Sequence, residues 1–158
     1  MKSRFHRGVS LLEILVVLGL MAALLVIGIP AFFRLLQGYR LQSTANIVAT
    51  NLRFARSAAL KQKVQYRITF NDSADSPPNT YKIEYQPPTW PAVKNMDTSI
   101  PEQIVIDPTS LDTVIFDSRG AATVTGGTSS ILLSSDNVGS YTITVSPTGA
   151  INTVRSSS

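Results

Sequence analysis

Gly8-Val9-Ser10-Leu11-Leu12-Glu13, continued by the charge-free run ILVVLGLMAALLVIGIPAFF from Ile14 to Phe33, decides the fold of this 158-residue chain. The run holds 20 residues. At about 1.5 Å per residue such a helix spans ~30 Å, the thickness of a bilayer core. Ahead of Gly8 lies a basic leader with Lys2, Arg4 and Arg7. A basic start before an apolar stretch is the usual form of a secretory signal peptide or a simple anchor. This run exceeds the ~7–15 residues of a signal core, and no A-x-A site closes it. Glu13 separates the readings further. A carboxylate within the membrane costs on the order of 2.5–3.5 kcal/mol, so it calls for a partner.

Beyond the run, Gly28-Ile29-Pro30 is expected to loosen the helix, because proline removes one backbone hydrogen bond and crowds the preceding turn. An amphipathic pattern then takes over. Leu41, Ala45, Val48, Leu52, Ala55 and Ala59 step by three and four residues and form one helix face, with Arg40, Arg53, Arg56 and Lys61 largely off it. The pattern predicts one helix from about Val9 to about Gln62, roughly 80 Å long. Its first half suits lipid and its second half suits a globular domain.

At Val64 the period changes to two. Val64 to Phe70 and Tyr81 to Tyr85 alternate apolar and polar residues around a turn-rich loop, which predicts a hairpin. Residues 86–103 hold four prolines and Trp90, the only tryptophan, and read as an irregular loop. Trp90 is a candidate partner contact, against the plainer role of capping the local core. Short β segments follow at 104–106, 113–116, 121–124, 130–133, 141–145 and 151–154, separated by turns such as Asp117-Ser118-Arg119-Gly120 and Pro147-Thr148-Gly149. The fold class expected is α+β, a long N-terminal helix on an antiparallel sheet.

Composition excludes much. There is no cysteine, and the one histidine, His6, lies in the leader, so thiolate chemistry, histidine metal sites and Ser-His-Asp catalysis have no residues to use. No phosphate-binding glycine motif occurs. Asp72 with Asp75, and Asp107 with Asp112, sit among turn formers and read as turn residues. No enzyme, cofactor or metal is expected. The formal charge of +4 depends on the leader, without which 11 basic residues face 10 acidic. Seven basic residues and no acid lie between 34 and 67, whereas four basic face nine acidic from 68 onward. The basic stem either draws neighbouring copies or anionic headgroups, or is a solvated helix face.

Gly8, the apolar Val9-Ser10-Leu11-Leu12, Glu13 and the long apolar helix resemble the class III signal of type IV pilins and pseudopilins. A second stretch, Leu52-Arg53-Phe54-Ala55-Arg56-Ser57-Ala58-Ala59-Leu60 followed by Lys63-Val64, resembles the helix end of the GspH/FimT pseudopilins. The segments Ile115 to Gly120 and Ile143 to Gly149 also fit that group's strand–turn pattern. Two positions depart from it: Val9, where the family usually has phenylalanine or methionine, and Ala58, where it usually has glutamate.

The resemblance implies a type IV pilin-like fold. It implies cleavage by a prepilin peptidase between Gly8 and Val9, N-methylation of Val9, and filament assembly through Glu13 and Pro30. Residues 1–8 would be the leader, 9–33 the transmembrane part of the helix, 34–63 its amphipathic continuation and 64–158 a periplasmic antiparallel β domain. The partners implied are other pseudopilins or pilins through the N-terminal helix, the prepilin peptidase and inner-membrane lipid. The function implied is that of a minor pseudopilin in the periplasmic pseudopilus of a type II secretion system, anchored in the bacterial inner membrane. The alternative is a FimT/FimU-like minor pilin of a type IV pilus, including the DNA-uptake type. DNA-binding members on the FimT side share a Gly-Arg-x-Arg tail. Here the tail reads Gly149-Ala150-Ile151-Asn152-Thr153-Val154-Arg155, so DNA binding is not expected.

Overall fold

The computed structural model describes residues 10–71, 74–75, 78–86, 98–136 and 138–156. Helix α1 runs Leu11–Gln62. Its first turn closes on Ser10, whose carbonyl accepts the N–H groups of Glu13 (3.0 Å) and Ile14 (3.2 Å). Glu13 lies in the first turn and Lys61 in the last, each the sign of charge that the helix dipole favours there. The helix continues through Pro30 without a break, although the Val26 carbonyl has no N–H to accept at that position. It stops where Lys63 adopts a left-handed φ of 57°, turning the chain into the first strand.

The chain divides into two units, one ending at Leu36 and one beginning at Gln37. The described part of the first is helix from Leu11 onward. The second holds the rest of α1 and the strands β1 (Gln65–Asn71), β2 (Thr80–Gln86), β3 (Thr98–Ser99), β4 (Val105–Ile106), β5 (Thr113–Phe116), β6 (Ala122–Thr125), β7 (Ser130–Ser135), β8 (Gly139–Val145) and β9 (Ile151–Ser156). They form two antiparallel sheets, in the orders β3-β2-β1-β5-β6 and β4-β7-β8-β9.

Side chains alternate between the core and the outer face along these strands. Tyr66, Ile68 and Phe70 of β1 point inward, as do Val114 and Phe116 of β5, Ile131 and Leu133 of β7, and Ile143 and Val145 of β8. Every member of the apolar helix stripe, Leu41, Ala45, Val48, Leu52, Ala55 and Ala59, is buried in the same core. Alanine at half of these positions leaves room for strand side chains as bulky as Phe116 to fill the space. Phe70 stacks on Tyr81 at 5.5 Å and Tyr66 on Tyr85 at 5.8 Å, fixing the β1–β2 register. Arg67 and Glu84, opposite each other in that register, form an ion pair on the outer face.

The structure departs from the sequence reading in two places. The β region forms two sheets rather than one. The segment read as an irregular loop over 86–103 contributes a short strand, β3, whose Thr98 and Ser99 pair with Tyr81 and Thr80. A two-residue strand carries too little periodicity to be seen in sequence, and its backbone pairing with β2 supplies the order. Trp90 lies outside the described residues.

Candidate assembly site

From Leu11 to Leu35 every described side chain is exposed, including Leu11 (80 %), Leu24 (71 %), Val26 (74 %) and Phe33 (59 %). A helix apolar on all sides has no use for water on any of them; its length and composition suffice to cross a membrane. Glu13 is the one charge on this surface before Arg34, and its side chain is also exposed. Gly19 and Gly28 have open space where a Cβ would stand, so another helix can approach the backbone closely there. Pro30 lies within the same stretch. Gly8 and Val9 lie outside the described residues. The structure therefore brings Glu13 and Pro30 onto one unpartnered apolar helix.

Three of the stem arginines reach groups of the head. Arg40 donates to Gln103 Oε1 (3.2 Å), and Arg53 reaches the Ile151 carbonyl (3.5 Å). Arg56 donates from Nε to the Gly120 carbonyl (3.1 Å) and from Nη2 to the Thr148 carbonyl (3.0 Å). At the same point the Ala122 N–H donates to the Pro147 carbonyl (2.9 Å), joining the start of β6 to the β8–β9 turn and so one sheet to the other. The junction needs glycine. Gly120 and Gly149 have φ of 80° and 79°, and a Cβ on Gly149 would stand 2.1 Å from the Gly120 carbonyl oxygen and 2.7 Å from Arg56 Nε. Sequence reading placed Arg56, Gly120 and Gly149 in three separate family-like segments. It gave no sign that they meet, because the contacts span 64 and 92 residues of chain.

Asp107 and Asp117 serve turns, while Asp72 lies outside the described residues. Asp107 accepts the Thr109 hydroxyl and N–H, which together hold its carboxyl below the usual carboxylate range. Asp117 accepts the N–H groups of Arg119 and Ala121 across the β5–β6 turn. No group of metal-ligating side chains occurs among the described residues. The exposed apolar helix surface is suited to meeting other helices, and the Arg56 bonds hold parts of the folded head together.

The family model for the type II transport protein GspH matches residues 44–149. Among solved structures, the type IV minor pilin FimU of Pseudomonas aeruginosa (strain PAO1) is 17 % identical, with a TM-score of 0.54 over 72 % of this chain and 92 % of that one. A second crystal form of FimU gives 18 % identity and a TM-score of 0.53, over 71 % and 86 %. The minor pseudopilin EpsH from the type 2 secretion system of Vibrio cholerae is 12 % identical, with a TM-score of 0.52 over 73 % and 97 %. At these identities the likeness is one of fold. No curated protein matches the chain.

Proposed function

Because the chain belongs to the type II transport protein GspH family, a family of pilin-like minor subunits, we propose that it serves as a minor pseudopilin of a type II secretion system. The observation that carries this reading is the family match over 44–149, which spans the Arg56 junction and most of the head. In the proposed arrangement residues 9–33 cross the inner membrane, 34–63 continue the helix into the head, and 64–158 form a periplasmic domain. The exposed apolar surface of α1 then packs in lipid before assembly and against neighbouring helices after it. Glu13 pairs with the N-terminal amine of a neighbouring subunit, so that two charges leave lipid together. Pro30 lets the helix open locally as neighbours pack, since one hydrogen bond is already missing there. Deleting the gene is expected to stop secretion of folded exoproteins while leaving any type IV pilus of the same cell working. Lost pili with normal secretion would reverse the assignment.

Processing by the prepilin peptidase forms part of the proposal. Intact-mass measurement of membrane-extracted protein is expected to show a mature chain beginning at Val9, with residues 1–8 gone. Cleavage beyond Phe33, releasing a soluble head, is the result that would defeat the pilin reading of the helix.

DNA uptake is the rival role, and charge argues against it. Phosphate binding at physiological salt needs several cationic contacts acting together. The tail strand β9 carries one arginine, Arg155, and Arg40, Arg53 and Arg56 are already engaged with head residues. The unit from Gln37 onward is therefore expected to bind duplex DNA at ~10⁻⁴ M or more weakly. Fluorescence anisotropy across salt concentrations measures this. Micromolar binding abolished by Arg155→Ala would favour the DNA-uptake pilin.

A further inference from the structure

The two sheets end in four edges of unequal character. Three are short: β3 and β4 have two residues each and β6 has four. The fourth, β9, has six residues, Ile151-Asn152-Thr153-Val154-Arg155-Ser156, without proline or lysine. Natural proteins blunt such edges with charge, proline, bulges or brevity, because a long free edge pairs with other strands. β9 has one arginine and no other such feature in its sequence.

The hydrogen-bond parity shows which backbone groups are free. Val145 donates to Ser129 on the β7 side of β8, so Thr144, Thr142 and Ser140 turn their backbone groups toward β9. Ser146 donates to Ala150 across the β8–β9 turn, in step with this. Their partners Asn152, Val154 and Ser156 therefore bond inward to β8, and Ile151, Thr153 and Arg155 present N–H and C=O outward. The Ile151 carbonyl is taken by Arg53. No bond to the outward groups of Thr153 and Arg155 occurs among the described residues.

The outer face beside this edge is uncharged. Reading across the register, Leu132, Thr142 and Val154 form one row, Ser130, Thr144 and Asn152 a second, and Ser134, Ser140 and Ser156 a third. Val154 ends its row at 60 % exposure. A second copy of β9 fits this edge poorly. It brings no carboxylate, so Arg155 would meet Ile151, Thr153 or another Arg155 in the allowed registers.

We propose that the free edge of β9 docks an extended strand from the head of a neighbouring, different pilin-type subunit, with uncharged side chains beside Asn152 and Val154 and a carboxylate opposite Arg155. The inference rests on the subunit role proposed above and adds a second contact, outside the helix. Main-chain pairing at Thr153 and Arg155 supplies the attachment, and the side-chain rows select the partner. A pairing of six residues suffices because, on the proposed role, membrane-anchored neighbours already sit at high effective concentration.

The test uses the full chain in its native membrane, with a photo-crosslinking residue at position 154 and, separately, at Ala22 in the apolar part of α1. Thr153→Pro removes only an outward N–H, which edge strands tolerate, and Arg155→Glu reverses the charge. A 154 adduct is expected on a strand of another pilin-type subunit bearing Asp or Glu. Each substitution is expected to reduce that adduct at least tenfold while the Ala22 adduct persists. Should Thr153→Pro lower the melting temperature, Arg155→Glu alone decides. The edge proposal is overturned if the 154 adduct is absent or survives, or joins a second copy, lipid or DNA, while Ala22 still crosslinks to other subunits. Loss of the Ala22 adduct in the unsubstituted chain overturns the subunit role itself.

Discussion

Glu13→Ala is expected to leave the chain in the membrane yet cut its recovery with other pilin-type subunits by about 100-fold. Membrane retention follows from the apolar surface from Leu11 to Phe33, which the substitution extends rather than interrupts. The assembly loss follows from the partner. On the proposed pairing, a neighbour's N-terminal amine enters lipid opposite Glu13, and removing one member of a buried ion pair leaves the other uncompensated at a cost of ~3 kcal/mol or more. At about 1.4 kcal/mol per tenfold, that becomes two orders of magnitude in association. Glu13→Gln is expected to fall between, because an amide accepts a hydrogen bond from the amine but offers no charge. Co-purification from detergent-solubilised membranes, normalised to the amount of chain present, gives the comparison. Equal recovery of the alanine variant would make Glu13 a tolerated charge with no part in assembly.

The second large effect belongs to the head. Gly149→Ala is expected to destabilise the unit from Gln37 onward by about 3 kcal/mol, lowering its melting temperature by ~10 °C. Two costs add. An alanine at φ 79° is strained whatever its surroundings, and its Cβ would stand 2.1 Å from the Gly120 carbonyl oxygen. Relief requires the β8–β9 turn to move away from the β5–β6 turn. That movement breaks the Arg56 bridge between the Gly120 and Thr148 carbonyls and strains the Ala122–Pro147 bond. Gly38→Ala is the matched control. Its Cβ would meet only Val138 Cγ1 at 3.5 Å, an ordinary contact, and alanine favours the helix by roughly 0.5–1 kcal/mol. Circular-dichroism melting of both variants tests the contrast. Equal melting of Gly149→Ala and the unsubstituted protein would mean that the two turns are not held together as the geometry requires.

What was legible in the sequence is what local periodicity and side-chain chemistry impose. A charge-free run of 20 residues cannot be a strand or a loop, and the three-and-four spacing from Leu41 to Ala59 allowed only one buried helix face. Alternation placed β1 and β2, and the spacing of turns placed β5 and β7, close to their observed limits. The resemblance at residues 52–64 falls within the stretch 44–149 that the family model matches, whereas the roles given to Glu13 and Pro30 rest on the resemblance at 8–13 and belong to the proposal. Only the tertiary structure decided the rest. It divided the strands between two sheets, recruited Thr98 and Ser99 to an edge too short to show a period, and joined Arg56, Gly120 and Thr148 across up to 92 residues of chain. Among the described residues it also left β9 as the one long free edge. Strand order and long-range hydrogen bonds depend on which surfaces meet once the core closes, and no local pattern records that meeting. The apolar helix was set by residues acting alone with their solvent, the head by residues acting on one another.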